Sequence, residues 1–180
     1  MDPLPIVLPD PSLVVLIGTA GAGKSTFAAR HFAPHEVLSS DGFRAMVGGD
    51  PADQRATRPA FAALHRELER RLAGGLLTVV DATSVTSRAR RTLLARATAA
   101  RVPAIGIVLD LPPDIVRARN RARDGRAAIP DAAVTAQLAD LARTIEWEGA
   151  AGWPGFAAVH LLRSPAEVDR VLVRREAASR

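Results

Sequence analysis

The residues with the most specific chemistry form a glycine-rich stretch that ends in lysine and serine. Residues Gly18 to Ser25 match the pattern G-x-x-x-x-G-K-[ST] at every position. Gly21 and Gly23 permit backbone conformations that a Cβ would block, and the loop N–H groups can then point at anionic oxygens together with the N-terminus of the next helix. The pattern therefore predicts a binding loop for ATP.

Each functional group of this loop has an expected ligand. Lys24 should bridge the β- and γ-phosphates, Ser25 should coordinate Mg²⁺, and Thr26 should contact the α-phosphate. The residues predicted to bind ATP are Gly18, Ala20, Gly21, Ala22, Gly23, Lys24, Ser25 and Thr26. Lys24 is also the only lysine among the chain's 24 Lys and Arg residues. Because the wide arginine fork does not replace a compact ammonium at a buried phosphate, this exception supports the role of Lys24.

Asp41 and Arg44 are the candidates for transferring a phosphate to an alcohol. They follow Glu36–Ser39, a segment predicted to be a strand. Ligands of parallel sheets bind beyond the carboxyl ends of strands, so Asp41 should face the γ-phosphate and accept the proton of an attacking hydroxyl. Arg44 would lie on the same face of a helix and bind a phosphate of the acceptor. The alternative is that Asp41 only caps that helix.

Asp81 ends another apolar segment, after Leu76–Val80. A carboxylate at the end of a strand beside the loop can hold Mg²⁺ through water, so Ser25 and Asp81 form the predicted metal site. The alternative is a cap or turn residue for the helix that begins near Ser87.

Arginines crowd one predicted helix and the turn after it: Arg117, Arg119, Arg121, Arg123 and Arg126. Arg119 and Arg123 are four residues apart and project from one face, where they would stabilise the charge of a transferring phosphoryl group. A solvated basic face is the competing interpretation, and it is preferred for Arg117 and Arg121. It is also preferred for the arginines that begin an earlier helix, Arg88, Arg90 and Arg91.

Strands and helices alternate along the chain, as the positioning of these residues requires. The predicted strands are Leu13–Ile17, Glu36–Ser39, Leu77–Asp81, Ala104–Asp110 and Ala157–Leu162. The predicted helices are Ser25–His31, Arg58–Ala73, Ser87–Ala100, Pro113–Arg123, Asp131–Glu148 and Pro165–Ala177. The pattern, with the phosphate loop, predicts a doubly wound α/β fold, the P-loop NTPase three-layer fold with a five-stranded parallel sheet flanked by helices. Residues 12–180 should form a single domain after a flexible, proline-rich arm at residues 1–11.

Composition narrows the possible functions. The chain has no cysteine, which excludes disulfides, zinc–thiolate sites and thiol catalysis. No apolar run approaches about 20 residues and the N-terminus does not resemble a signal peptide, so we expect a cytoplasmic protein with no membrane partner. The net charge of +5 fits either a nucleic-acid partner or a solvated basic surface.

Together these motifs resemble the kinase module of the bacterial polynucleotide kinase–phosphatases and, more distantly, the phage polynucleotide kinase. The resemblance runs from about Leu13 to Val173. Besides the phosphate loop, it rests on Ser40-Asp41 with Arg44, Asp53-Gln54 with Ala56-Thr57, Arg71-Leu72, Leu77 to Thr83, Arg119 to Arg123 and Ser164 to Val168. Ser84 stands where members of that family usually have Asn.

The resemblance implies an ATP- and Mg²⁺-dependent kinase for the 5′-hydroxyl end of a polynucleotide. Asp41 would be the general base, Arg44 would hold the phosphate next to that end, and Arg119 and Arg123 would be lid arginines that close over the ATP phosphates. Since fold does not decide substrate, two other functions stay open. One is a kinase for a small alcohol, such as a nucleotide-sugar, an antibiotic or a metabolite, and the other is a nucleotide-gated regulatory ATPase.

Overall fold

Parallel strands form the central sheet of the protein, for which a computed structural model describes residues 2–48, 57–123 and 128–177. In chain order the strands are β1 (Leu4–Asp10), β2 (Leu13–Ile17), β3 (Val37–Ser39), β4 (Thr78–Asp81), β5 (Ala104–Leu109), β6 (Ala158–Leu162) and β7 (Val171–Ala177). Five of them lie in the order β3-β4-β2-β5-β6. This arrangement confirms the predicted α/β fold with a five-stranded parallel sheet.

Helices cover the sheet on both faces. They are α1 (Lys24–His31), α2 (Ser40–Gly48), α3 (Thr57–Ala73), α4 (Ser87–Ala100), α5 (Pro113–Arg121), α6 (Asp131–Ala150) and α7 (Pro165–Arg170). Alternate residues of β2 face opposite sides: Val15 packs with side chains of α3, α4 and α6, whereas Val14 packs with α1, β1 and β7. In the parts of the chain described here, no helix combines the length and apolar character needed to cross a bilayer.

The register of the strands brings three loops together at one edge of the sheet. Asp81, at the end of β4, pairs with Leu16 of β2 on one side and with Ser39 of β3 on the other. The segments that follow β2, β3 and β4 therefore start next to one another. This edge is where open parallel sheets bind their ligands.

Two segments differ from the predictions. Residues 1–11 were expected to be a flexible arm and Pro165–Ala177 a single helix, but α7 ends at Arg170 and β7 pairs in parallel with β1. The prolines of β1 obscured its alternation, in which Ile6 and Leu8 are buried and Val7 is 40% exposed. Because β1 is an edge strand of its two-stranded sheet, it tolerates proline.

Candidate active site

The phosphate loop connects the end of β2 to the start of α1 and is packed directly against α5. Gly21 and Gly23 have φ angles of 85° and 93°, in the left-handed region that favours glycine. A Cβ on Gly21 would lie 2.4 Å from the carbonyl oxygen of Val116 on α5. The glycine at position 21 is therefore required by both its backbone conformation and its neighbour.

The loop's backbone N–H groups divide into two sets. Ala20 donates its N–H to Oε1 of Gln137 at 2.8 Å, and Ala22 donates to the carbonyl of Thr19 at 3.1 Å. Among the described residues, no partner accepts the remaining N–H groups, which are those of Gly21, Gly23, Lys24, Ser25 and Thr26. A row of unpaired N–H groups at a helix N-terminus fits a chain of phosphates. Gly18 also donates its N–H, to the carbonyl of Thr83 at 3.2 Å. The structure thus places three predicted ATP-binding amides, those of Gly18, Ala20 and Ala22, in hydrogen bonds within the protein.

Lys24 lies back against the loop that carries it. Its Nζ donates to the carbonyl of Gly18 at 3.0 Å and to that of Thr19 at 2.9 Å. Burial lowers the pKa of Lys24 to about 8; Arg123 adds to this effect, whereas Asp81 and Asp41 oppose it. The charges of the predicted metal, base and lid residues therefore all act on this one ammonium.

Ser25 and Asp81 form the oxygen pair that the metal prediction requires. Ser25 Oγ donates to Oδ2 of Asp81 at 2.7 Å, and Asp81 is only 6% exposed. Mg²⁺ in proteins usually binds one or two side-chain oxygens together with phosphates and water. The Ser25–Asp81 pair, which lies beside the loop amides, fits this preference. The N-cap of α4 is Thr86, whose Oγ1 accepts the N–H of Ala89 at 3.3 Å, so Asp81 does not cap that helix.

Asp41 and Arg44 meet in the first turn of α2. The Arg44 guanidinium donates to Oδ1 of Asp41, and the Asp41 side chain remains 53% exposed. Capping of the helix falls to Ser39, whose hydroxyl accepts the N–H of Gly42 at 3.4 Å. Asp41 therefore has a partner of opposite charge and an open face, and it does not act as the helix cap that the alternative required.

A cleft of about 320 Å³ runs along the loop and ends at the predicted lid arginines. Arg119 and Arg123 line it, and Nη1 of Arg119 lies 3.4 Å from the position of a Cβ on Gly23. Arg117 bonds Asp131 and Thr135 at 2.5 and 3.0 Å, so it joins α5 to α6. Arg126, the last arginine of that group, lies outside the described residues, as do Asp53, Gln54 and Ala56, which contributed to the resemblance.

A second cleft, of about 510 Å³, has Arg44 in its wall. Its polar lining includes Ser40, Arg44, His65, Thr83, Ser84, Thr86, Arg88, Thr92, Gln137 and Asp140. Aliphatic side chains and Phe61 form the rest of its wall. A cleft next to the Asp41–Arg44 pair and separate from the phosphate loop offers room for a phosphate acceptor.

Arg90 is the largest departure from the predicted roles. It was expected to lie on a solvated face but is only 1% exposed. Its guanidinium bonds Glu148 at 2.5 Å, the carbonyl of Ser84 at 2.7 Å and Thr144 at 3.1 Å. Ser84, with a φ of 47°, is thereby held against α6. Arg90 supports the wall of the second cleft through Ser84, and its spacing of three and seven residues from the buried Leu93 and Ala97 is the signal that places it on the inner face of α4.

Comparison with known proteins identifies a family and several solved structures with a similar fold. The model of the AAA domain family matches residues 13–146. No curated protein matches the chain significantly. A sugar kinase from Janibacter sp. HTCC2649 is 21% identical with a TM-score of 0.56, over 85% of each chain. A gluconokinase from Sinorhizobium meliloti 1021 is 18% identical with a TM-score of 0.55, over 90% of this chain and 87% of that one.

A chain of the Pnkp1/Rnl/Hen1 RNA repair complex is also similar. It is 25% identical with a TM-score of 0.65, over 78% of this chain but only 47% of that chain. Kinases of different substrates thus share the fold of the present chain, and the fold alone does not distinguish among their acceptors.

Proposed function

This chain belongs to the AAA domain family and has a P-loop kinase-like fold, and we propose that it transfers the γ-phosphate of ATP to the 5′-hydroxyl end of a polynucleotide. The observation that carries the proposal is the position of the Asp41–Arg44 pair. The pair follows β3. Beside it, β2 ends and leads through the phosphate loop to Lys24, and β4 ends at Asp81. A site that only bound ATP would need neither a base nor a cation outside the loop.

The residues of the chain divide the work of transfer. The unpaired loop N–H groups and Lys24 would bind the phosphates of ATP, for which Lys24 must leave the carbonyls of Gly18 and Thr19. Ser25 and Asp81 would hold Mg²⁺, which when bound offsets phosphate charge. Arg119 and Arg123, which line the cleft, would stabilise the charge that spreads over the transferring group.

Asp41 would act on the acceptor. Its exposed carboxylate can accept the proton of an attacking hydroxyl as the new P–O bond forms and the bond from the γ-phosphorus to the bridging oxygen breaks, with ADP as the leaving group. For this the Arg44 guanidinium must move from Asp41 to an anionic group of the acceptor. An acceptor that carries a phosphate next to its reacting hydroxyl would draw Arg44 away and leave Asp41 unpaired in the same step.

Three features support a polynucleotide acceptor. Arg44 and Arg88 both line the second cleft and suit a phosphate backbone. The motifs that resemble polynucleotide kinases include Asp41, Arg44, Arg119 and Arg123. The RNA repair complex is the solved structure above with the highest identity to this chain, at 25%.

Transfer of labelled γ-phosphate decides between acceptors. The acceptors would be a 5′-hydroxyl oligonucleotide, the same oligonucleotide with a 5′-phosphate as the control, and a panel of sugars and other small alcohols. We expect label on the 5′-hydroxyl oligonucleotide alone, with an apparent affinity that falls steeply with salt. Label only on a small alcohol would replace the proposed acceptor, and hydrolysis without transfer in every mixture would refute the kinase assignment.

A further inference from the structure

Gln137, which no sequence motif identified, touches both the phosphate loop and the second cleft. It lies in the middle of α6, and its Oε1 accepts the N–H of Ala20 at 2.8 Å. Among the described residues outside the loop motif, Gln137 is the one whose side chain bonds the backbone of the phosphate loop. Gln137 also lines the second cleft, beside Thr83 and Ser84. One carboxamide thus joins the nucleotide loop to the space proposed for the acceptor.

The contact with Ala20 supports the loop itself. Ala20 is only 9% exposed, and a buried N–H group that loses its partner costs about 1–3 kcal/mol. The nearby carbonyls of Gly18 and Thr19 already accept from Lys24. Gln137 therefore holds the first half of the loop together with Thr83, whose carbonyl accepts the N–H of Gly18 at 3.2 Å.

The position of Gln137 is itself well determined, because α6 is held at both ends. Near its start, Asp131 and Thr135 bond Arg117 of α5. Near its end, Thr144 donates to the carbonyl of Val85 at 2.8 Å, and Glu148 pairs with the buried Arg90. The backbone of Gln137 is therefore held in place, and the freedom that remains to the carboxamide is that of its own side-chain torsions.

The second half of the carboxamide is available to a ligand. Its Nε2 donates no hydrogen bond to any described residue, whereas its Oε1 is committed to Ala20. A carboxamide that accepts on one side and donates on the other can order two groups at once. An acceptor oxygen bonded to Nε2 would fix Gln137, and Gln137 would then fix the loop.

We propose that Gln137 positions the phosphate loop in response to the acceptor: Nε2 donates to an oxygen of the acceptor while Oε1 holds Ala20, so that each ligand tightens the binding of the other. This inference rests on the proposed function, since it places the phosphate acceptor in the second cleft. It identifies the acceptor's recognition group as a hydrogen-bond-accepting oxygen near the reacting hydroxyl. Because the coupling is a property of binding, it is the same in both directions.

The test compares the wild-type chain with Gln137→Met, which keeps the side-chain length and helix propensity but removes both hydrogen bonds. Calorimetry would measure the Kd of a non-hydrolysable ATP analogue with Mg²⁺, with and without a 5′-hydroxyl hexanucleotide. In the wild type we expect the hexanucleotide to lower this Kd by about fivefold or more. In Gln137→Met we expect a Kd about fivefold higher for the analogue alone, from one lost hydrogen bond, and no further effect of the hexanucleotide.

Glu146→Met is the matched control, because Glu146 is exposed on the same helix, lines neither cleft and makes no bond to the loop. It should preserve the coupling. Equal coupling in the wild type and Gln137→Met, or none in the wild type, would overturn the inference. If the wild type labels no acceptor at all, the proposed function fails and the acceptor half of the inference fails with it. The loop half is then decided by whether Gln137→Met alone raises the Kd of the analogue.

Discussion

Replacing Gly21 with Ala tests whether the phosphate loop is seated against α5 as the structure describes. A Cβ at position 21 would lie 2.4 Å from the carbonyl oxygen of Val116 and 3.1 Å from the N of Asn120, whereas ordinary contacts begin at 3.4 Å. Both neighbours are backbone atoms and cannot rotate away. The loop and α5 must therefore separate by roughly 1 Å, with a cost typical of overpacking, about 1–3 kcal/mol.

Gly75→Ala measures the cost of the left-handed backbone conformation without a steric clash. Gly75 ends the turn after α3 with a φ of 68°, and a Cβ there would meet no heavy atom within 4 Å. The left-handed conformation alone should cost Ala about 1–2 kcal/mol at either position. Gly21→Ala should consequently be less stable than Gly75→Ala by about 1–3 kcal/mol, a difference in Tm of roughly 2–12 °C for a chain of this size.

Of the two variants, only Gly21→Ala should change the affinity for an ATP analogue. Because α5 carries Arg119 over the nucleotide cleft, its displacement should raise the Kd of an ATP analogue in Gly21→Ala by about tenfold or more, equivalent to 1.4 kcal/mol. Gly75→Ala should bind as the wild type does. Differential scanning fluorimetry and calorimetry on the three proteins give both quantities. Equal stability and equal affinity in the two variants would refute the close approach of the loop and α5.

Two further perturbations follow from buried charges. Since burial lowers the pKa of Lys24 to about 8, the free protein loses this positive charge above pH 8. The affinity of the wild type for an ATP analogue should then fall by up to about tenfold per pH unit, whereas Lys24→Met should bind weakly and equally at pH 7 and pH 9; a wild-type affinity that is constant over this range would contradict the argument. Arg90→Met leaves Glu148 without its buried partner and should lower the free energy of unfolding in urea by about 3–5 kcal/mol. The double variant with Glu148→Met should recover at least half of that loss, and a double variant as unstable as the single one would show that the pair is not the cause.

The parts of the site that sequence could predict are local. The phosphate loop needs glycines, a lysine and a serine at fixed spacing, and Lys24 and Ser25 lie at the start of α1 as the motif predicts. The buried strands before the loop and before Asp81 were evident from unbroken apolar runs, which parallel sheets require on both faces. Their adjacency followed from the rule that ligands bind at the carboxyl ends of such strands.

The parts that sequence could not predict depend on distant contacts. Gln137 lies 117 residues from the loop amide that it bonds, and Arg90 pairs with Glu148 58 residues away. Arg90 lies on the buried face of α4, unlike its exposed neighbour Arg88, but its ionic partner on α6 is distant in sequence and could not be predicted. The pairing of β1 with β7 joins the two ends of the described chain, so neither strand had a local partner to indicate it.

The most direct test of the account is γ-phosphate transfer by Asp41→Asn. Asparagine keeps the size of the side chain and a partner for Arg44 but cannot accept the proton of the attacking hydroxyl. We predict that the rate of transfer to a 5′-hydroxyl oligonucleotide falls by about 10²–10⁴-fold while the Kd of the ATP analogue stays within about twofold of the wild type. Transfer that continues at the wild-type rate in Asp41→Asn would contradict the role of Asp41 and the mechanism built on it.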